Sequence, residues 1–256
     1  MIAHELDVVT AALGGLRYAR SPGLEQNVFA GWLSAPSRIG EVFVALTRDG
    51  VQFVRSAESV DGDPEAFTKA YRLRFARPLR PADRGPAGLL PALRGRRGAA
   101  PPLDLSGLTT FERNVLSVTR SIPAGETRPY GWVAREAGRP TAVRAVASVL
   151  ARNPVPLLVP CHRVVRSDGS LGGYMFGPAH KVELLQGEGT NLDDVADLTR
   201  HGVHYLGSDT TGIVCFPTCH HARRITPAHR SGFATVGAAI AAGYRPCRSC
   251  RPAEAA

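Results

Sequence analysis

Cysteine is the residue whose spacing in this 256-residue sequence points most directly to chemistry. Four of the five cysteines fall into two short pairs, Cys215 with Cys219 and Cys247 with Cys250, while Cys161 stands alone. Two close pairs can bring four sulfurs into the tetrahedral array that zinc prefers, and an odd cysteine count argues against a disulfide framework. We therefore predict one structural zinc ion held by the paired cysteines, and a separate role for Cys161.

Two alternatives to this zinc site remain open from the residues alone. The pairs could form disulfides, although disulfides are rare in cytoplasmic proteins. Nearby histidines could compete as ligands, although a lone histidine beside such a site is more often a surface residue. These histidines are His220, His221 and His229.

Cys161 is followed directly by His162 and Arg163. A base or cation close to a thiol favours the thiolate, which is the nucleophilic form of cysteine. Neighbouring side chains on an extended strand point to opposite faces, so His162 can act on Cys161 only if the chain bends there. The residues alone leave a buried, inert cysteine as open as a reactive one.

The first region of the chain has the pattern of an α/β domain. Apolar strands flank Asp49-Gly50, a typical hairpin turn. Asp63-Pro64 predicts the start of a helix with a repeating apolar face. We assign residues 1–90 to this domain, and the Pro-, Gly- and Arg-rich residues 91–106 to a surface linker.

Helical patterns dominate the second region, which we place at 107–189. Thr109 to Glu112 resembles a capping box at the start of a helix. Two short helices near 130–137 and 141–152 are separated by a Gly-containing turn, which indicates a helix-turn-helix. One face of the second helix is polar and could meet a DNA groove or simply be solvated. That face carries Arg144, Ser148 and Arg152.

A short buried strand is expected at 155–159, leading into Cys161. The third region, 190–256, contains the paired cysteines. The chain thus divides into two larger regions and a small metal-binding one.

The charge balance favours a polyanionic partner. Lys and Arg number 31 against 22 Asp and Glu, which gives a net charge of +9. Such a field attracts nucleic acid, although many basic proteins bind none. The first residues lack a basic start followed by an apolar core, and no run reaches bilayer-spanning length. We expect a cytoplasmic protein with no membrane partner.

The run NPVPLLVPCHRVV at 153–165 resembles the active-site signature of the O6-alkylguanine-DNA alkyltransferases. Flanking motifs agree in order and spacing, including IPAGETRPYG at 122–131, Gly173-Tyr174 and Lys181. The likeness is strong from 109 to 188 and weaker before 103. It implies an α/β N-terminal domain followed by a mainly α, winged-helix-like helix-turn-helix domain with alkyltransferase activity.

The resemblance implies specific catalytic roles. In that family a cysteine takes the alkyl group irreversibly from an O6-alkylguanine that is flipped out of duplex DNA, and the match assigns this role to Cys161. His162 would activate Cys161 through a water molecule, and Glu188 would orient His162. Tyr130 would donate a proton toward the departing guanine. Asn153 would hold the active-site turn together by hydrogen bonds.

The same resemblance implies the DNA contacts. Arg144 would fill the gap left by the flipped nucleotide, and Tyr174 would line the pocket together with Tyr130. Arg163 is also expected to contact DNA. Met175 stands where the family often has a small hydroxyl residue, which affects the expected substrate range. That range could extend to O4-alkylthymine.

The third region is similar to the zinc domain of the Ada family, which repairs methyl phosphotriesters. The likeness includes TTGIVC at 210–215 and AAGYRPC at 241–247. It implies a small α/β zinc domain in which the first ligand, Cys215, is a second methyl acceptor. Two features differ: the segment before Thr210 is shorter, and the basic residues after Cys219 are shifted. A zinc-folded module that only anchors DNA is the alternative.

The sequence as a whole predicts a single-turnover methylated-DNA–protein-cysteine methyltransferase. We expect a monomer that acts on double-stranded DNA, with zinc and no organic cofactor. A non-enzymatic lesion sensor that recruits other repair factors is one alternative, but sensor relatives lack the nucleophile. A cysteine hydrolase is another, but it would need a separate oriented base, which the sequence does not show.

Overall fold

The computed structural model describes residues 28–96 and 98–253 of the chain. Several predictions fall partly outside these residues. They concern the first 27 residues of the 1–90 domain, Arg97 in the linker and the last three residues of the 190–256 region. The expected lack of a targeting signal at the start of the chain also lies outside the described residues.

In its described residues, the N-terminal domain contains a four-stranded sheet with helices packed on it. The strands are β1 (Ala30–Ser37), β2 (Gly40–Thr47), β3 (Gly50–Ser56) and β4 (Leu79–Pro81), in the order β3-β2-β1-β4. β2 and β3 form the hairpin predicted at Asp49-Gly50, which is confirmed. Helix α1 (Pro64–Phe75) begins at the predicted cap, where the Asp63 carboxylate accepts hydrogen bonds from two backbone amides. Phe67 and Tyr71 of α1 are buried against the sheet.

The segment predicted as a surface linker is fastened to this sheet. It begins in helix α2 (Leu89–Leu93), and the Val51 amide then donates to Pro102 O at 2.9 Å. Gly50 allows this approach, because a Cβ there would lie 2.4 Å from Pro102 O. The buried Asp104 carboxylate accepts hydrogen bonds from Thr47 and Gln52 at 2.7 and 2.9 Å. Residues 102–104 therefore act as part of the N-terminal domain.

The middle region contains three mutually packed helices: α3 (Thr110–Arg120), α4 (Tyr130–Glu136) and α5 (Val143–Ala151). The predicted capping box at Thr109 and Glu112 is confirmed. Two short strands, β5 (Arg128–Pro129) and β6 (Val164–Val165), pair in parallel beside α4. Helix α6 (Pro178–Gly187) closes the region.

The C-terminal region has helix α7 (Leu192–Arg200) followed by a second four-stranded sheet. Its strands are β7 (Tyr205–Ser208), β8 (Ile213–Cys215), β9 (Arg230–Phe233) and β10 (Arg245–Pro246), in the order β10-β8-β7-β9. Helix α8 (Val236–Ala241) packs on this sheet. One hydrophobic core runs from the N-terminal sheet through the middle helices to the cysteine cluster. In the part of the chain that the structure describes, no helix is both long and apolar enough to span a membrane.

Candidate active site and metal centre

A tight turn, not a strand, presents Cys161. The strand predicted at 155–159 is wrong, since these residues form a turn with only an isolated bridge between Pro156 and Val159. Prolines supply no backbone N–H for a ladder, and Leu157 adopts a positive φ of 70°. The chain also bends at Cys161, as a role for His162 requires, because Cys161–Arg163 form one 3₁₀ turn.

Asn153 holds this turn together from the inside. Its fully buried side chain accepts a hydrogen bond from Val155 N at 3.0 Å and donates to Val159 O at 3.1 Å. The same Nδ2 group donates to Cys161 Sγ at 3.3 Å. Asn153 therefore lies where a turn-holding residue is expected, and it also touches the sulfur.

The Cys161 thiol lies in a buried environment with one cation nearby. Burial raises the pKa of Cys161, while the Asn153 hydrogen bond and the positive charge of Lys181 offset part of that rise. The Lys181 ammonium is buried and donates to the carbonyls of Val164 at 2.7 Å, Leu171 and Gly173. Burial lowers its pKa to about 8. The resting sulfur is thus a protonated thiol that requires a base.

His162 and Glu188 form a buried pair beside this thiol. His162 Nε2 lies 2.9 Å from Glu188 Oε1, and His162 Nδ1 is buried with no hydrogen-bond partner among the described residues. A carboxylate can only accept, so Nε2 carries the proton and Nδ1 presents a lone pair. Burial lowers the pKa of His162 despite the opposing effect of Glu188. His162 is therefore a neutral, oriented base.

The Glu188 carboxylate is held by donors from three parts of the chain. Arg163 donates to both carboxylate oxygens at 2.9 and 2.8 Å, and the Gly125 amide donates at 3.1 Å. Although burial alone would raise it, the hydrogen bonds from His162 and Arg163 hold the pKa of Glu188 well below its usual range. Gly125 has φ +76°, and a Cβ there would lie 2.6 Å from Glu188 O.

Arg163 and Arg38 both support Glu188. Arg163 was predicted to contact DNA, but its guanidinium is occupied by Glu188 and by Ile122 O at 2.6 Å. Arg38 was not predicted at all. It lies in the β1–β2 turn and donates to Glu188 Oε1 at 3.1 Å and to Leu184 O at 2.9 Å. No local pattern signals this contact, because 150 residues separate Arg38 from Glu188.

A cavity of about 360 Å³ opens onto the Cys161 sulfur. It is lined by Tyr130, Ala147, Leu150, Ala151, Cys161, Gly173, Tyr174 and Met175. Burial raises the pKa of both tyrosines, so each is a neutral hydroxyl. The cavity therefore brings together three of the residues predicted for the site, and Met175 forms part of its wall.

The predicted polar face of α5 lies outside this cavity. Arg144, Ser148 and Arg152 are all exposed, while Val146, Val149 and Leu150 are buried. Arg152 folds back on its own helix, since its Nε donates to Ser148 O at 3.3 Å. Arg144 is the exposed cation nearer the start of α5.

The four paired cysteines converge into one buried cluster. Cys215 ends β8, Cys219 lies in the next turn, and Cys247 and Cys250 follow β10. Their sulfurs all lie within 4.8 Å of one another. Four thiolates in such an arrangement suit a tetrahedral zinc ion, which would be held by Cys215, Cys219, Cys247 and Cys250.

The nearby histidines have other partners. His220 Nδ1 lies 2.9 Å from Glu126 Oε1, His221 Nε2 lies 3.2 Å from Ser249 Oγ, and His229 Nδ1 lies 2.9 Å from Asp209 Oδ1. The disulfide alternative is not supported either, because no disulfide bond joins any of the four cysteines in the structure. The cluster is thus an all-cysteine zinc site.

A groove of about 590 Å³ lies beside the metal cluster. Cys215 and Cys247 contribute to its wall together with three arginines. The arginines are Arg224, Arg245 and Arg248. Two of the paired cysteines and three guanidinium groups, which are suited to binding phosphate, therefore line one surface depression.

Comparison with known proteins identifies the family. Residues 110–190 match the family model for the 6-O-methylguanine DNA methyltransferase DNA binding domain, and residues 195–253 match the metal binding domain of Ada. The crystal structure of Mycobacterium tuberculosis O6-methylguanine methyltransferase is 31% identical, with a TM-score of 0.50, and the match covers 62% of this chain and 92% of that one. The chain belongs to the O6-methylguanine-DNA methyltransferase family, and it also carries an Ada-type metal-binding domain.

Two curated relatives each match about a third of this chain. The bifunctional transcriptional activator/DNA repair enzyme Ada of Escherichia coli is 49% identical over 90 residues, which is 35% of this chain and 25% of that protein. A methylated-DNA–protein-cysteine methyltransferase of Methanothermobacter thermautotrophicus is 50% identical over 91 residues, which is 36% of this chain and 51% of that protein. The matches therefore span a quarter to a half of these relatives.

Proposed function

We propose that this protein transfers the alkyl group of an O6-alkylguanine in duplex DNA to Cys161, once per molecule. The observation that carries the proposal is the buried Cys161 sulfur on the wall of a cavity, with the Asn153 amide and the His162–Glu188 pair beside it. The proposed catalytic unit is 107–189, between the 1–90 domain with its 91–106 connection and the zinc module at 190–256.

The proton of the Cys161 thiol leaves toward His162. The unpartnered Nδ1 lone pair of His162 is the available base, and a water molecule between the two groups would carry the proton. Glu188 fixes the tautomer by accepting from Nε2 and then stabilises the imidazolium. The Cys161 thiolate forms only as the reaction starts.

The sulfur then attacks the alkyl carbon. The new S–C bond forms as the C–O6 bond breaks, and the electron pair of that bond stays on the guanine. Tyr130 is a neutral hydroxyl in the same cavity and donates its proton to the departing base. A thioether is a poor leaving group, so the modified Cys161 is not regenerated.

Helices α4 and α5 supply the proposed DNA contact, in a winged-helix-like arrangement. The exposed Arg144 on α5 fills the space left in the base stack when the alkylated nucleotide turns into the cavity. Tyr130 and Tyr174 line that cavity. The net charge of +9 supports duplex DNA as the partner, and a monomer suffices because one chain supplies every group named here.

The test is incubation of the full chain with an O6-methylguanine duplex, followed by peptide mass spectrometry. A methyl group on Cys161 in at most one copy per chain is the expected result. Binding without modification would favour the lesion sensor, and repeated turnover would favour a hydrolase. A Cys161→Ser protein is the matched control.

A second activity is supported by the groove beside the metal cluster. There the Cys215 sulfur shares a wall with Arg224, Arg245 and Arg248, which suit a phosphate group of the DNA backbone. We propose that Cys215 accepts the methyl group of a methyl phosphotriester. A methyl-phosphotriester duplex should place a methyl group on Cys215, and an unmodified Cys215 would leave the module as a DNA anchor.

A further inference from the structure

The zinc module contacts the catalytic module through the residues that surround its own metal ligands. On the zinc side, the bonds come from Cys250 itself and from residues directly next to Cys219 and Cys250 in the sequence. On the catalytic side, these bonds reach one continuous segment, Glu126–Glu136. Two further bonds between the modules, from Thr190 to Gly125 O and from Arg223 to Gly189 O, lie outside this segment. The residues at and beside the metal ligands therefore meet the catalytic module at Glu126–Glu136.

Three buried or half-buried hydrogen bonds form the inner part of this contact. The Trp132 indole N–H donates to Cys250 O at 2.9 Å. The Thr127 amide donates to Thr218 Oγ1 at 2.8 Å, and the His220 amide donates to Glu126 Oε1 at 3.1 Å. Trp132 is only 5% exposed, so its single donor depends on this carbonyl.

The outer part of the contact is ionic. Arg251 forms an ion pair with Glu136 at 2.6 Å, and Arg135 donates to Arg251 O at 2.6 Å. The Arg251 side chain is 57% exposed, so solvent weakens this pair. The buried hydrogen bonds therefore carry most of the specificity of the contact.

Tyr130 lies inside the contacted segment, Glu126–Glu136. Contacts to the zinc module hold residues 126–127 on one side of Tyr130 and residues 132–136 on the other. Tyr130 also begins helix α4 and faces the Cys161 cavity. The proposed proton donor thus lies in a segment that is held on one side by Cys250 and Arg251 and on the other by Thr218 and His220, the neighbours of Cys219.

We propose that the zinc centre is a positioning element for the Cys161 site, coupled to it through Glu126–Glu136. With zinc bound, the ligand turns keep their shape and hold the segment. When zinc is lost, the turns relax, Trp132 loses its acceptor, and Tyr130 is no longer fixed over the cavity. Two sites coupled in this way affect each other reciprocally, so changes in the segment also weaken the hold on zinc.

Tryptophan fluorescence tests the coupling without DNA. The chain has two tryptophans, and a Trp32→Phe protein reports only on Trp132. Removing zinc with a chelator under reducing conditions should shift its emission to longer wavelength, because the buried indole becomes hydrated. The Trp132→Phe protein reports only on Trp32 in the N-terminal sheet and should not shift. An unchanged Trp132 spectrum after complete zinc removal would overturn the proposal.

Zinc retention tests the reverse direction with the same two proteins. Trp132→Phe should surrender zinc to a competing chelator about tenfold faster than Trp32→Phe, although Trp132 is no ligand. Equal release rates in two folded proteins would contradict the coupling. Should Trp132→Phe fail to fold, the Trp32→Phe spectrum alone decides.

The effect on Cys161 rests on the proposed function and is measured separately. The rate of alkyl transfer from DNA to Cys161 should be about tenfold lower in the zinc-free protein than in the holoprotein. Ser231→Ala, which removes a hydrogen bond to Tyr244 within the zinc module, should leave the rate unchanged. If Cys161 of the holoprotein takes up no alkyl group, the proposed function fails while the spectroscopic result still stands. If zinc-free and holoprotein react equally fast, the positioning role fails.

Discussion

Buried cysteines occur in two different settings in this protein, at Cys161 and in the four-cysteine cluster. The Cys161 sulfur has one amide donor, an oriented histidine nearby and an open cavity in front of it. The cluster sulfurs face one another within 4.8 Å, and the His220–Glu126 pair lies beside one of them, Cys219. Burial is common to both settings, and the difference lies in the neighbours: Cys161 faces a cavity, whereas each cluster cysteine faces three other sulfurs.

Replacing the lone cysteine should produce the largest effect. Cys161→Ser should slow methyl transfer by roughly 10³-fold or more, because a serine hydroxyl is a far weaker nucleophile with no base strong enough for it. Single-turnover transfer to an O6-methylguanine duplex measures this rate, and the protein should retain its zinc. Transfer at the normal rate would remove Cys161 from the mechanism.

Replacing a cluster cysteine should affect the metal first. Cys247→Ala should lose most of its zinc and unfold the C-terminal module at a lower temperature, since structural zinc contributes on the order of 10 kcal/mol to such folds. Metal analysis and thermal denaturation measure the two effects. One tightly held zinc per chain in this variant would contradict the four-cysteine assignment.

Removing the charge that orients His162 should have a smaller effect. Glu188→Gln should slow transfer by about 10²-fold, because the Nε2 proton loses its carboxylate acceptor and the tautomer is no longer fixed. Affinity for unmodified duplex DNA should stay within a factor of about two, since Glu188 is buried away from the surface. A loss of DNA affinity with an unchanged transfer rate would be inconsistent with this role.

The pH dependence of transfer should follow His162. Its pKa lies below the ordinary value of 6.5, so the neutral base form persists as the pH falls to that point. The single-turnover rate should therefore hold between pH 8 and 6.5 and decrease only at more acidic pH. A decrease centred above pH 6.5, in protein that remains folded, would point to a different base.

The smallest expected effects come from replacing exposed arginines, each of which should affect methyl transfer to only one of the two cysteines. Arg144→Ala should slow transfer to Cys161 by about tenfold and leave Cys215 unaffected, because a lost DNA contact costs about 1–3 kcal/mol. Arg245→Ala should show the opposite pattern with a methyl-phosphotriester duplex. Equal effects of both variants on both cysteines would mean that the two modules share one DNA surface.

Local patterns in the sequence were sufficient for much of this molecule. The cysteine spacing predicted the metal cluster, and the caps at Asp63 and Thr109 predicted two helix starts. The strand before Cys161 was predicted wrongly, because its apolar residues outweighed Pro154, Pro156 and Pro160 and the Asn153 side chain that closes the turn.

Local patterns could not predict contacts between residues that are far apart in the sequence. Trp132 meets Cys250 O across 118 residues, and Arg38 meets Glu188 across 150. An arginine in a surface turn has no local feature that indicates a buried partner. Arg163 shows the same limit, since it was expected to contact DNA while the fold directs its guanidinium to Glu188.

The Arg38 contact restricts how this protein can be recombined with its relatives. A chimera that takes its N-terminal sheet from another family member inherits whatever residue stands in the β1–β2 turn. If that residue cannot reach Glu188 and Leu184 O, the graft leaves a buried carboxylate with one fewer cationic donor. A functional hybrid that keeps Glu188 is therefore expected to need an arginine at the position of Arg38.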